Sequence, residues 1–170
     1  MARKFTAKEY ALALQRLPDR TLRDQREAMN AEMSFLAADI KRTFFRGGGR
    51  RGPNWVVSRT GRLADSVRPI EARLNRQSQI LLAGVQMGGS DAPHAAFIEY
   101  GTRGPYVIRP RRASVLRFET EDGEVVFAHE VIHPGIRARA PLGRGVARRQ
   151  SEIVRRLADK YARTLKEIVA

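Results

Sequence analysis

Apolar residues recur at helical spacing near both ends of this chain and in short strand-like runs between them. That division sets the folds open to it. Leu22, Met29, Met33, Leu36, Ile40 and Phe44 lie at steps near 3.6 residues behind a start signal at Thr21 to Asp24, which predicts a long helix over 22–45. Ahead of it, Thr6-Ala7-Lys8-Glu9 has capping-box spacing, predicting a short helix that Pro18 ends after Leu17, within an N-terminal helical extension 1–20. At the other end, Val146, Ile153, Leu157, Tyr161, Leu165 and Ile168 predict a closing amphipathic helix over 146–170, entered through Gly143 and Gly145. Its opposite face carries Arg148, Arg149, Arg155, Arg156, Lys160 and Arg163, expected to be solvated or to meet another subunit.

Between the helices the β-type runs are Ser66 to Leu74, Gln79 to Gln86, Ala95 to Gly101, Ala113 to Glu119 and Glu124 to Ile132. Asn75 to Ser78 and Glu121-Asp122-Gly123 are tight-turn sequences, so the runs predict a largely antiparallel meander over 63–132. Gly104 to Pro110 is too proline-bounded for a central strand and is expected to cross or edge the sheet. The expected fold is therefore one α+β domain over 1–170, a small mostly antiparallel sheet packed by the long N-terminal and the C-terminal helix. A connecting segment, 133–145, leads to the last helix.

The first long helix is expected to stop at Gly47-Gly48-Gly49 and give way to a basic Gly/Arg-rich loop, 46–62, through Arg50-Arg51-Gly52-Pro53-Asn54. From Lys41 to Arg76 there are ten Lys or Arg residues against Asp65 and Glu71, so positive charge concentrates here. A solvated loop explains this as well as contact with DNA or an acidic subunit through Arg46, Arg50, Arg51, Arg59 and Arg62. Over the whole chain 32 Lys plus Arg oppose 18 Asp plus Glu, a net +14 that attracts polyanions and acidic protein surfaces alike.

Several chemistries are excluded or disfavoured by residue type. With no cysteine there is no disulfide, thiolate metal site or thiol nucleophile. Only three histidines occur, His94, His129 and His133; the last two, in a strand, would stand about 13 Å apart, so no metal and no cofactor are expected. Neither a Gly-x-Ser-x-Gly elbow nor a Gly-Lys-Ser/Thr phosphate loop is present, and a plain flexible loop accounts for Gly47 to Gly52. Glu99 and Tyr100 could be an acid and a phenol of an active site, but a strand end before a turn explains them equally. Aromatics are 7% of the chain, too few for a stacking platform on nucleic acid; Phe44 fits the helix core, and Trp55 could anchor the loop to the body or to a neighbour. No apolar run reaches the roughly 18 residues of a membrane span, and no secretory signal precedes the first helix, so synthesis in a cytoplasm is expected.

Three stretches carry a resemblance. Thr60-Gly61-Arg62-Leu63-Ala64-Asp65-Ser66-Val67 is similar to a Thr/Ser-Gly-x-Leu-x-x-Ser-Ile/Val entry into a sheet. Ala95-Ala96-Phe97-Ile98-Glu99-Tyr100-Gly101-Thr102 resembles a Tyr-Ala-x-x-Glu-Phe/Tyr-Gly-Thr strand, with Ala95 where Tyr is usual. His133-Pro134-Gly135, continuing to Ala140-Pro141-Leu142-Gly143, resembles a His-Pro-Gly-x-x-Ala-x-Pro-Phe-Leu segment without its Phe. In this order, over roughly 22–168, they resemble the tailed-bacteriophage morphogenesis proteins called head-tail joining, neck, tail completion or minor tail-component proteins.

That resemblance implies a non-enzymatic virion protein, a homo-oligomeric ring of six copies at the head-tail junction, assembled in the bacterial host cytoplasm. Its implied neighbours are the phage connector or stopper and tail proteins, with packaged DNA nearby and no membrane. The implied motif or subunit-interface residues are Thr60, Gly61, Leu63, Ser66, Ala96, Glu99, Tyr100, Gly101, Thr102, His133, Pro134, Gly135, Pro141 and Leu142. Glu99 could serve local hydrogen bonding or pair with an arginine of its own or the next subunit. The alternatives are a non-specific nucleic-acid-binding module, suggested by the charge, and a small hydrolase, suggested only by the presence of His, Ser and acidic residues.

Overall fold

The computed structural model of the chain describes residues 7–45, 55–56, 60–75, 77–78, 80–120 and 122–169. Its elements are α1 (Ala7–Phe44), α2 (Arg62–Asp65), β1 (Arg68–Asn75), β2 (Ile80–Gln86), α3 (Ala95–Tyr100), β3 (Tyr106–Ile108), β4 (Leu116–Glu119), β5 (Val125–Ala128), β6 (Val131–His133) and α4 (Pro141–Val169). The fold is α+β: two long helices pack on each other, and of the antiparallel strand pairs β1–β2 packs against α1.

Helix α1 is the centre. Met33, Leu36, Ala37, Ile40 and Phe44 follow its inner face and are buried, and with Phe45, Val56, Leu63, Val67, Ala92 and Ala95 they form the core. Both the β1–β2 ribbon and α4 pack on α1. β1 can approach closely because Ala72, fully buried, is the residue turned to the helix. The ladder with β2 shifts register between Ile70 and Arg73, and the amide of Ala72 donates instead to Oδ1 of Asn30 on α1 at 2.7 Å. A bulge thus becomes a sheet-to-helix tie.

Four expectations are corrected. Pro18 does not end a first helix: α1 is continuous from Ala7, and Thr21 lies inside it. A proline in a helix interior removes one hydrogen bond and crowds the carbonyl four residues back, a local cost of roughly 3 kcal/mol. That cost can be met by the rest of a long helix. Ala95 to Gly101 is a helix, not a strand. Ala95, Ile98 and Glu99 turn inward at steps of three and one, while His94 carbonyl accepts from Phe97 and Ile98 at 3.1 and 3.3 Å.

The meander is three separate two-stranded ribbons, β1–β2, β3–β6 and β4–β5. Both tight turns join the pairs expected, but the run 124–132 breaks between β5 and β6, and each half takes a different partner. The segment 104–110 supplies β3, an edge in a ribbon that has only edges. Finally, α4 starts at Pro141, so Gly143 and Gly145 are helical and the connecting segment is shorter than 133–145. Its inward row is Leu142, Gly145, Arg149, Ile153, Leu157 and Thr164, and Val146 and Tyr161 are 42% and 46% exposed.

Candidate functional site

The second and third motif stretches meet at one joint, where α3 abuts the start of α4, and the first is tied to the loop that enters α3. Gly61, at φ 75, turns the chain into α2; Leu63 behind it is buried, whereas Thr60 and Arg62 are exposed. Ser66 is buried, its hydroxyl donating to the carbonyl of Leu63 at 2.7 Å and accepting from the amide of Gly88 at 3.0 Å. Gly88 in turn lies against Ala95, the first residue of α3.

On α3, Ala95 and Glu99 face inward, and Ala96, Phe97 and Tyr100 face out, Tyr100 at 81% exposure. The two carboxylate oxygens of Glu99 accept the amides of Leu142 and Gly143 at 3.0 and 2.9 Å. These are amides at the start of α4 that no helical carbonyl can satisfy, and a negative charge there also complements the helix dipole. Pro141 occupies the first helical position, where its missing N–H costs nothing, and is fully buried. Glu99 therefore serves local hydrogen bonding and, among the described residues, meets no arginine.

Around this cap the two segments are laced together by backbone. The carbonyl of Ile98 accepts from the amides of Arg139 and Ala140 at 2.9 and 3.3 Å. Thr102 exchanges two bonds with Ile136, its amide to the carbonyl at 2.9 Å and its Oγ1 from the amide at 2.8 Å. Gly101 has φ 76, and a side chain on it would reach 2.7 Å from the carbonyl oxygen of Ile136. Next to it, Gly135, at φ 89, donates to Nδ1 of His133 at 3.0 Å, and the His133 ring stacks on Tyr106 with centroids 5.0 Å apart.

A second set of side chains joins α1 to α4 and was not foreseen. Asp39 is buried on α1 and accepts from Arg42 at 2.8 Å, from Arg149 at 3.2 Å and from Arg148. Burial pushes its carboxyl up, but the hydrogen bonds from Arg149, Arg148 and Arg42 outweigh this and hold it at about 2, below the ordinary 3.8. Arg149 also pairs with Glu152, whose carboxyl is lowered by that bond, and the Arg149 guanidinium is raised by Asp39 and Glu152. Arg156 pairs with Glu152 and, at 3.6 Å, with Glu32. Arg149 and Arg156 both lie over the ring of Phe35, at 5.0 and 5.4 Å from its centroid. Three of the six cations expected on the outer face of α4 thus turn inward. The signal was Asp39 itself, an acid three residues from Leu36 and one from Ile40 on an apolar face.

Of the expected cationic contacts, Arg46, Arg50, Arg51 and Arg59 lie outside the described residues, with most of the loop 46–62. Val56 returns the chain to the end of α1, its amide donating to the carbonyl of Phe44 at 2.9 Å, and the carbonyl of Trp55 accepts from Arg139. The ring of Trp55 is half-buried. Arg62 borders a cleft of about 350 Å³ with Arg68, Asp65, Asp91, Gln86 and Ser90, a lining of both signs. Among the described residues no three His, Asp or Glu side chains are grouped to hold a metal ion.

What the joint does chemically is hold backbone. Ser66, Glu99, Thr102 and His133 each have a backbone partner. Comparison with protein-family models, with curated proteins and with solved structures gives no match for this chain.

Proposed function

We propose that this chain is a structural protein of a tailed bacteriophage. It forms a ring of six copies at the head-tail interface, completes the tail or neck, and joins it to the capsid connector. One observation carries the reading: from Tyr100 to Ala140 no described residue is buried, although the segment folds into the β3–β6 and β4–β5 ribbons. Ile132, Phe127 and Val107 on them are 68%, 63% and 50% exposed. A two-stranded ribbon is marginal alone in water, and exposed apolar strands with open edges are sites for another chain to pair or pack.

Identical neighbours around an axis would cover those strands, and head-to-tail contacts between unlike patches close into rings. The sequence resemblance supports the same reading, since its second and third stretches make the joint that sets both ribbons on the body. The work is mechanical and no reaction is catalysed. The protein is placed in the virion at the neck, assembled in the host cytoplasm, between connector or stopper and tail proteins. Its +14 charge suits a neighbour that is acidic or is packaged DNA.

Interrupting the gene in the phage that encodes this chain is expected to leave filled heads and detached tails, which purified chain then joins in extract. Normal joined particles without it would overturn the proposal. The nucleic-acid-binding alternative would instead be favoured by tight, steeply salt-dependent DNA binding of the lone subunit.

A further inference from the structure

His133 is the last residue of β6 and stands where the unburied extension returns to the body. Its ring lies on that of Tyr106, its cross-strand neighbour on β3, with centroids 5.0 Å apart and planes 25° from parallel. Nδ1 accepts the amide of Gly135 at 3.0 Å. An imidazole nitrogen accepts only while it carries no proton, so this bond fixes the neutral tautomer with its proton on Nε2. The imidazolium has an N–H at both positions and cannot make it.

That bond secures the turn into the joint. Gly135 packs backbone to backbone on the segment opposite: a Cβ on it would stand 3.1 Å from Cα of Gly104 and 3.2 Å from the carbonyl oxygen of Thr102. The next residue, Ile136, makes the two bonds with Thr102 that tie the paired segments together. Pro134 has no amide, so the amide of Gly135 is the only backbone donor between His133 and Ile136. Whether the turn is held therefore depends on one ring nitrogen.

Tyr106 is the titratable group that lies against the ring. The charged groups on the adjoining segments are Arg103 and Arg137, both exposed, and Arg109 and Glu130, which pair with each other at 3.0 Å further along the ribbon. Among the described residues no carboxylate pairs with His133, so a proton gained at Nδ1 finds no acid there to accept it. We infer that His133 is an acid-sensitive latch at the root of the extension. With the ring neutral, Nδ1 holds the turn that presents Ile136 to Thr102. With the ring protonated, its Nδ1–H and the Gly135 N–H face each other as two donors while the stack on Tyr106 keeps the ring in place, so the backbone gives way. The Thr102–Ile136 bonds loosen, and the β3–β6 ribbon is freed to swing on the body. The switch lies in the range where histidine side chains change charge, roughly pH 5 to 8. It is a property of the single subunit and does not depend on the ring reading.

Amide exchange on the full chain, followed by NMR with each rate divided by the intrinsic rate at the same pH, tests the latch. From about pH 7.5 to about pH 5 the protection of the Gly135, Ile136 and Thr102 amides should fall roughly fivefold or more, while that of Ile40, buried on α1, stays constant. His133→Asn supplies an oxygen that accepts the amide two residues on and does not titrate, so its protection should be the same at both pH values. His133→Leu should be poorly protected at both. Ring nitrogen shifts of the wild type give a reading that needs no variant: at about pH 7.5 Nδ1 should be the nitrogen without a proton. Equal wild-type protection at both pH values, a fall in His133→Asn as large as in the wild type, or a neutral ring with its proton on Nδ1 would overturn the inference.

Discussion

Asp39 holds α1 to α4, and it does so as a charge. Its buried carboxylate sits among Arg42, Arg148 and Arg149, which hold its pKa at about 2 against an ordinary 3.8. A carboxyl whose folded pKa is depressed stabilises the fold fully above its unfolded value and loses that contribution as pH falls through the folded one. The shift is worth on the order of 2 kcal/mol. Asp39→Asn should therefore lower stability by about that much at pH 7, read as the urea midpoint. The gap from the wild type should shrink as pH falls from about 4 towards about 2. A gap independent of pH would refute the assignment. Residue types and spacing located Glu99 as a residue of interest and left its partner open. The partner could not be read, because the amides of Leu142 and Gly143 are 43 and 44 positions away and belong to no side-chain pattern. Asp39 was missed because the eye for periodicity follows apolar residues, and this acid shares their face.

Long elements were legible and short ones were not. The rows from Met33 to Phe44 and from Ile153 to Leu165 each repeat over three turns or more, so both long helices could be read from spacing. Ala95 to Tyr100 spans too little chain for a period of two to be told from one of 3.6, and Ala-Ala at its start leans to helix. Pro18 and Pro141 show the limits of a single-residue rule. The first is tolerated inside a helix, and the second begins one because Glu99 caps it. Gly145 is another such case. On an exposed helix, alanine for glycine gains roughly 1 kcal/mol. Here a Cβ would meet Cδ1 of Ile40 at 2.8 Å and press harder still on its Cγ1, and Ile40 is fully buried. Gly145→Ala should therefore destabilise by about 1–2 kcal/mol in thermal or urea unfolding, overpacking outweighing propensity. Stabilisation would mean that the two helices are not in contact there.

The whole molecule has a body and an unburied extension. In the body, α1 takes the β1–β2 ribbon and α4 onto itself around a small core; beyond Glu99 the chain runs to Ala140 without burying a described residue, and then re-enters at Pro141. The sequence marked these runs as strands and paired their turns, but it could not show that they make separate ribbons instead of one sheet, because pairing between non-adjacent strands such as β3 and β6 leaves no local trace. The two uncovered ribbons are the surfaces that the proposed ring would bury. Averaged electron micrographs of the neck of the assembled phage, with and without this chain, test that most directly. The account predicts a closed ring of six equal densities around the DNA channel at the head-tail junction, lost when the chain is missing. A neck unchanged by its absence, or particles that never contain it, would contradict the account.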